Sequence, residues 1–184
     1  VEDAHQPAAP VDHQQRGVVV PAAAAVVDHH HLPRCEQALQ LRGVGAAAAW
    51  GTAPLSVYVH IPFCESVCYY CACNKVITRH HQRALPYLDA LDAELALHTA
   101  ALGASQALCQ LHLGGGSPTF LSDADLDRLM RSLRRAFRIV GGAELCIEVD
   151  PRTVTPARLD HLAQLGFNRI SFGVQDFDAQ VQQA

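Results

Sequence analysis

From residue 54 onward, apolar and polar positions alternate between two periods. Leu55-Ser-Val-Tyr-Val-His60 carries β-branched and aromatic residues and predicts a first strand. Leu85, Leu88, Leu91, Leu95 and Leu102 recur at helical spacings, which predicts a helix over about residues 83–102. Leu108 to Leu113 predicts a second strand, ended by Gly114-Gly115-Gly116-Ser117-Pro118. Ser122 is placed to cap the next helix, with Asp125 at the capping-box position in place of the usual Glu. Leu126, Leu129, Met130 and Leu133 give that helix its apolar stripe. Gly141-Gly142 predicts a break, Glu144 to Val149 a third strand, and Asp150-Pro151 its end. Thr155-Pro156 opens a third helix, Gly166 closes it, and Asn168 to Val174 predicts a fourth strand. Strands alternating with helices imply an α/β fold with a parallel sheet and right-handed crossovers. Four strands cannot close a barrel. The expected architecture is a partial (β/α) barrel of TIM type cut short after about four strands, with an open doubly wound sheet fitting less well.

Residues 1–53 have a different texture, rich in Ala, Val, His, Pro and Gln, with Trp50 as their only aromatic. Such a segment has little to build a core from. The expectation is a leader that is disordered or misassigned, for example an out-of-frame translation, joined to a domain over 54–184. The 184 residues are short for a complete barrel of about 250. The only methionine is Met130, and Ala184 follows soon after the fourth strand, so the expectation is an incomplete chain.

Composition narrows the function. The formal net charge of −4 implies no basic face, which argues against nucleic acid as partner. No apolar run reaches the ~18 residues of a membrane span, and the stretch Val18 to Val27 lacks the flanks of a signal peptide. Of seven cysteines, Cys64, Cys68, Cys71 and Cys73 cluster within one short segment. That pattern favours metal ligation in a reducing compartment over a disulfide framework, so a cytoplasmic location is expected.

The special residues fall where a parallel β/α fold collects chemistry, at the carboxyl ends of its strands. The cysteines follow strand one, the glycine run follows strand two, Glu148 and Asp150 end strand three, and Gln175 and Asp176 follow strand four. Thiolates suit iron–sulfur clusters or zinc. Cys64, Cys68 and Cys71 are enough to hold three irons of a cubane and leave the fourth open to a small molecule. A zinc site using these three with Cys73 or His60 is the rival, although zinc sites usually show two separated cysteine pairs. Tyr70, between the second and third cysteines, would shield the cluster from solvent. The glycine run is either a flexible turn or a place where backbone approaches a ligand closely. Glu148 is either a salt-bridged strand end or an acceptor for a bound ligand's hydroxyls or amine. His60 and His112 read as hydrogen-bonded strand ends, Cys109 and Cys146 as small core residues, and the Arg128–Arg138 helix as a solvated face.

The Cys64-x-x-x-Cys68-x-x-Cys71 spacing after a first strand resembles the motif of radical S-adenosylmethionine (SAM) enzymes. Tyr58-Val-His-Ile-Pro-Phe-Cys64 and Cys68-Tyr-Tyr-Cys71-Ala-Cys73-Asn74-Lys75 resemble, more narrowly, the oxygen-independent coproporphyrinogen III oxidases (dehydrogenases) of haem biosynthesis. Leu111-His112-Leu113-Gly-Gly-Gly-Ser-Pro-Thr119, Ile147-Glu-Val-Asp-Pro-Arg152 and Gly166-Phe-Asn-Arg-Ile-Ser-Phe-Gly-Val-Gln-Asp-Phe177 extend the likeness over about residues 54–180. Cys71-Ala-Cys73-Asn74 separates it from haem-chaperone-like relatives, which usually have Asp-Phe after the third cysteine.

The resemblance implies one 4Fe–4S cluster on Cys64, Cys68 and Cys71, and two SAM molecules. Tyr58, Gly115 and Glu148 would touch the first SAM. Tyr70, Gly116, Ser117 and Gln175 would touch the second, Ser117 standing where the family usually has Thr. Cys73 would be a catalytic position rather than a cluster ligand. The implied reaction takes a hydrogen from each of two propionates of coproporphyrinogen III and releases carbon dioxide to leave vinyl groups, giving protoporphyrinogen IX. It needs an electron donor whose identity the resemblance does not give, and a monomer is expected. The family's upstream tyrosine-rich segment and everything after strand four are not found, so this chain alone is expected not to turn over. A haem-binding chaperone and a zinc-stabilised structural domain are the alternative readings.

Overall fold

The computed structural model describes residues 25–26, 54–68, 71, 73–103, 105–174, 177–178 and 180. Its main sheet has the order β1 (Ala25–Val26), β2 (Leu55–Ile61), β5 (Gln106–Gly115), β6 (Phe137–Glu148), β7 (Arg169–Ser171), and β3 (Phe63–Cys64) with β4 (Val76–Ile77) forms a second, two-stranded sheet. β2, β5, β6 and β7 run parallel to one another. α1 (Ala84–Leu102), α2 (Asp123–Ala136) and α3 (Pro156–Gln164) connect them in chain order, as the alternating periods predict. β1 (Ala25–Val26) lies antiparallel to Tyr58 and Val59 on the outer side of β2. The remainder of the 1–53 leader lies outside the described residues.

The two faces of the sheet differ in chemistry. Along β2, Val57, Val59 and Ile61 are buried while Ser56, Tyr58 and His60 are half-buried. The buried set joins one core with Leu108, Leu111 and Leu113 of β5, Leu145 and Ile147 of β6, and the apolar stripes of α1 and α2. The other face carries polar rows across the strands. Ser56 Oγ donates to Gln110 Oε1 (2.7 Å), and Gln110 Nε2 donates to Glu144 Oε1 (3.0 Å). Arg169 closes that row on Glu144 Oε2 at 2.9 Å. One row further along, Tyr58, His112 and Cys146 stand in register.

The helices start and stop for local reasons. The Ser122 and Asp125 capping box is complete: each side chain accepts from the other's backbone N–H at 3.2 Å. Thr155 caps α3, with Pro156 in its first turn. Arg128 donates to Asp89 and Asp92 of α1 at 2.6 and 2.7 Å, and Arg134 reaches the carbonyl of Leu165. Arg128 and Arg134 therefore tie α2 to its neighbours, while Arg131, Arg134 and Arg135 are exposed as a solvated face predicts.

Three expectations need correction. Gly141-Gly142 does not end an element, because α2 passes directly into a β6 that runs through both glycines. Leu108 pairs with Ile139 and Gln110 with Glu144, so residues 140–143 arch out of the ladder and return. Gly142, at φ +77°, makes that arch possible. The fourth strand is only Arg169–Ser171, and Phe172 and Val174 beyond it are exposed. The helix expected over about 83–102 is present as α1, with Ala84, Leu88, Leu91 and Leu95 buried and Leu85 facing solvent. Cys109 is half-buried rather than a core residue, whereas Cys146 is buried.

Candidate functional site: a cysteine loop on the carboxyl edge of the sheet

The cysteine segment is closed by its own small parallel sheet, β3 (Phe63–Cys64) with β4 (Val76–Ile77). Val76 N donates to Pro62 O (2.7 Å) and Thr78 N to Cys64 O (2.9 Å), so Cys64 sits in the closing rung. Inside the loop, Cys71 N donates to Cys68 O at 3.2 Å. An aromatic group supports the rung from below. Phe63 stacks on Phe120 (5.1 Å between centroids) and meets Tyr87 edge-on (5.5 Å). The Tyr87 hydroxyl donates to the carbonyl of His60, fixing the end of β2.

The glycine run is stitched to the same segment. Gly116 N donates to Ile61 O and Ser117 N to Phe63 O, both at 2.8 Å. A Cβ at Gly116 would lie 2.7 Å from Phe63 O and 2.9 Å from Cys64 Sγ. At Gly114 it would lie 2.9 Å from the Tyr58 ring and 3.0 Å from the Glu148 carboxyl group. The protein's own groups thus require glycine at these positions. That is a firmer reason than the loop flexibility or ligand approach expected from sequence.

Glu148, at the end of β6, accepts from Gly115 N on one oxygen and from His112 Nε2 on the other, both at 3.1 Å. The His112 ring stacks on Tyr58, with centroids 5.5 Å apart and planes at 19°. Hydrogen bonds to Cys146 and then to Glu148 push the His112 pKa up to about 9. Burial, with Glu148 and Cys73 nearby, pushes Tyr58 up to about 12, so its hydroxyl keeps its proton. His60 Nε2 faces the carbonyl of Asn74 at 2.9 Å, so that nitrogen must carry the hydrogen. His60 Nδ1 is then the acceptor for the Tyr58 hydroxyl, 3.2 Å away. Both strand-end histidines are hydrogen-bonded, as expected.

The thiols sense one another. Burial raises the Cys64 thiol, and the neighbouring Cys71, Cys68 and Cys73 raise it further. Cys71 is lowered, chiefly by a backbone hydrogen bond at Cys73 and also by Lys75. Burial and Cys71 raise Cys73. A cleft of about 290 Å³ opens beside the loop, lined in part by Cys64, Cys68, Ser117, Phe120, Asp150 and Arg152.

Residues 58–184 match the radical SAM superfamily. The chain belongs to that superfamily. Among curated relatives, it is 52% identical to the oxygen-independent coproporphyrinogen III oxidase of Escherichia coli over 137 residues. It is 50% identical to the Pseudomonas aeruginosa protein of the same name over 133 residues. Those alignments cover 74% and 71% of this chain, but only 30% and 29% of the relatives. The solved structure of coproporphyrinogen III oxidase from Escherichia coli, described as a radical SAM enzyme, superposes with a TM-score of 0.65 at 53% identity. That match covers 71% of this chain and 30% of the other. The chain thus spans about 30% of the length of these relatives.

Radical SAM proteins carry a 4Fe–4S cluster and SAM, and the residues present fit that pair. Among the described residues, no three His, Cys, Asp or Glu side chains are placed to share a single metal ion. A cubane does not need that arrangement, because each thiolate binds a separate corner iron. The donor set is soft, and a positively charged metal core would stabilise the Cys64 thiolate, which burial and the neighbouring thiols disfavour. The structure brings Tyr58, Cys64, Cys68, Cys71, Cys73, Gly115, Gly116, Ser117 and Glu148 to one edge of the fold. Tyr70 and Gln175 lie outside the described residues.

Sequence reasoning missed two cations here. Lys75 Nζ donates to the carbonyls of Cys71 (3.1 Å) and Cys73 (3.4 Å), holding the far limb of the loop. Arg152 forks onto Asp150 at 2.8–3.3 Å on the cleft wall. A lysine just beyond a run of thiols was a usable signal for the first. Lys75→Ala is expected to speed iron loss to a chelator roughly tenfold, as outer partners of metal ligands do. The decay of the cluster's visible absorption measures it, and an unchanged rate would remove Lys75 from the site.

Proposed function

We propose that this chain supplies the cluster- and SAM-binding part of an oxygen-independent coproporphyrinogen III oxidase, which acts on the propionates of coproporphyrinogen III. The observation that carries the reading is the join between the cysteine loop and the glycine run. Ser117 N bonds to Phe63 O beside Cys64, and Gly115 N bonds to Glu148. Ligands for a cluster and acceptors for a polar cofactor thereby share one edge. Relatives of the same name at 52% and 50% identity support the substrate class.

In this reading Cys64, Cys68 and Cys71 hold the cluster, while Tyr58, Gly115 and Glu148 orient one SAM. Gly116 and Ser117, with Tyr70 and Gln175, receive a second. When bound, the cluster and SAM supply a one-electron reagent able to take hydrogen from an unactivated carbon. The chain's own residues bind and aim it. Phe63 and Phe120 are buried and, with Tyr87 edge-on, back the loop with apolar rings. Cys73 acts beside the cluster rather than on it. The boundary near residue 53 separates a leader from this core. Among the described residues no helix is long and apolar enough to cross a membrane.

Anaerobic reconstitution with iron and sulfide, followed by assay of reductive SAM cleavage, tests the reading. Iron and sulfide in equal amounts, with methionine released on reduction, are expected. Bound zinc without sulfide would sink it. Decarboxylation of coproporphyrinogen III by a protein that carries this chain and spans the full length of its relatives tests the substrate class separately.

A further inference from the structure

We propose that His112 is a positioning residue for the SAM pocket: its ring, stacked on Tyr58 and bonded to Glu148, sets the pose in which both side chains meet the cofactor. This rests on the function proposed above.

The geometry begins in the strand register. On β5, His112 lies level with Tyr58 of β2 and Cys146 of β6, and all three side chains fall on the polar face of the sheet. Cys146 and Glu148 are two residues apart on β6 and so project to that same face. The His112 ring reaches both of them.

The result is a fixed carboxylate. Gly115 N–H takes one Glu148 oxygen and His112 Nε2–H takes the other, each at 3.1 Å. An ionised carboxylate has about four acceptor sites, so capacity remains on its open side. Glu148 is 40% exposed at its side chain, which leaves that side accessible. Tyr58 is held in the same way, between the His112 ring face and the His60 nitrogen its hydroxyl bonds. No other described side chain is bonded to Glu148 and stacked on Tyr58 together. The bonds to Cys146 and Glu148 raise the His112 pKa, which favours the cationic ring and a charge-assisted bond to Glu148. Without it, Glu148 would keep only the backbone donor and could swing off its present direction.

Two substitutions separate these contributions. His112→Phe keeps a ring against Tyr58 and removes the donor; His112→Gln keeps a donor and removes the stacking ring. SAM binding is measured by equilibrium dialysis on the anaerobically reconstituted protein, with iron content and cluster absorption as controls. H112F is expected to hold its iron and bind SAM roughly tenfold or more weakly, the loss typical of one charged hydrogen bond. H112Q is expected to recover part of that affinity. H112F binding as tightly as the wild type would overturn the proposal, as would a parallel fall of iron and SAM in both variants. A wild-type protein that holds its cluster but takes up no SAM would overturn the proposal together with the function beneath it. Wild-type uptake with no H112F effect would sink the role of His112 alone.

Discussion

Protein carrying Cys64→Ser or Cys71→Ser is expected to leave anaerobic reconstitution without iron and with SAM cleavage at background. Each thiolate would hold one corner of the cubane, so losing one removes a third of the protein's grip on it. A serine hydroxyl is a hard ligand that stays protonated at neutral pH, and so is a poor substitute for iron. The fold should survive, because the loop is closed by backbone bonds that no thiol makes. Thr78 N still reaches residue 64 O, and residue 71 N still reaches Cys68 O. Far-UV circular dichroism should therefore match the wild type while iron and sulfide analyses fall to the blank. Cys73→Ser is the informative contrast. Cys73 lies outside the three-cysteine spacing and is exposed, and it is expected to be dispensable for holding iron. If Cys73→Ser lost its iron as fully as Cys64→Ser, a four-thiolate site would be indicated and the open iron corner would be lost. Retention of iron by Cys64→Ser would be equally damaging.

The strands, helices and site edge were legible in sequence because each signal was local. Val57, Val59 and Ile61 alternate with polar residues, and that period alone separates the helix-covered face of β2 from the site face. Ser122 and Asp125 announced a helix start that the backbone honours in both directions. The failures were all non-local. Nothing in Gly141-Gly142 says whether a chain stops there or arches and rejoins its ladder; that depends on β5 lying alongside to pair with Glu144. Leu85 fits the helical period but falls on the side of α1 that α2 does not cover. The β3 and β4 pair is too short for any period to reveal, and it exists because the cysteine loop returns to its own start. The candidate site could be proposed as a set of residue types, while its joints could not. That His112 bonds to Glu148, and that His60 reaches Asn74, follow from strand register and loop closure rather than from spacing.

Gly115 gives the sharpest stability prediction, because two independent penalties meet there. Its φ of +113° lies in a region that side-chain-bearing residues rarely adopt. A Cβ built on it would stand 2.6 Å from both Cε1 and Nδ1 of the His60 ring. The backbone penalty for Ala is about 1–3 kcal/mol, and overpacking against a held ring adds about 1–3 kcal/mol. Gly115→Ala is therefore expected to destabilise by about 2–6 kcal/mol, the sum of those two ranges, measured by urea unfolding. Gly142→Ala isolates the first term. It shares a positive φ of +77°, but among the described residues no atom lies within 4 Å of its added Cβ. Its cost should be the backbone part alone. The second term should yield to a partner change. His60→Ala removes the obstructing ring, so the double variant Gly115→Ala/His60→Ala should be more stable than the two single costs would add to. His60 could otherwise escape only by rotating away, which breaks its bonds to Tyr58 and Asn74. In a reconstituted Gly115→Ala protein the cysteine loop would then lose one of its ties to β2, and iron should leave faster even where the fold persists. Equal costs for Gly115→Ala and Gly142→Ala, with strict additivity in the double variant, would mean that the ring is not held against the glycine at all.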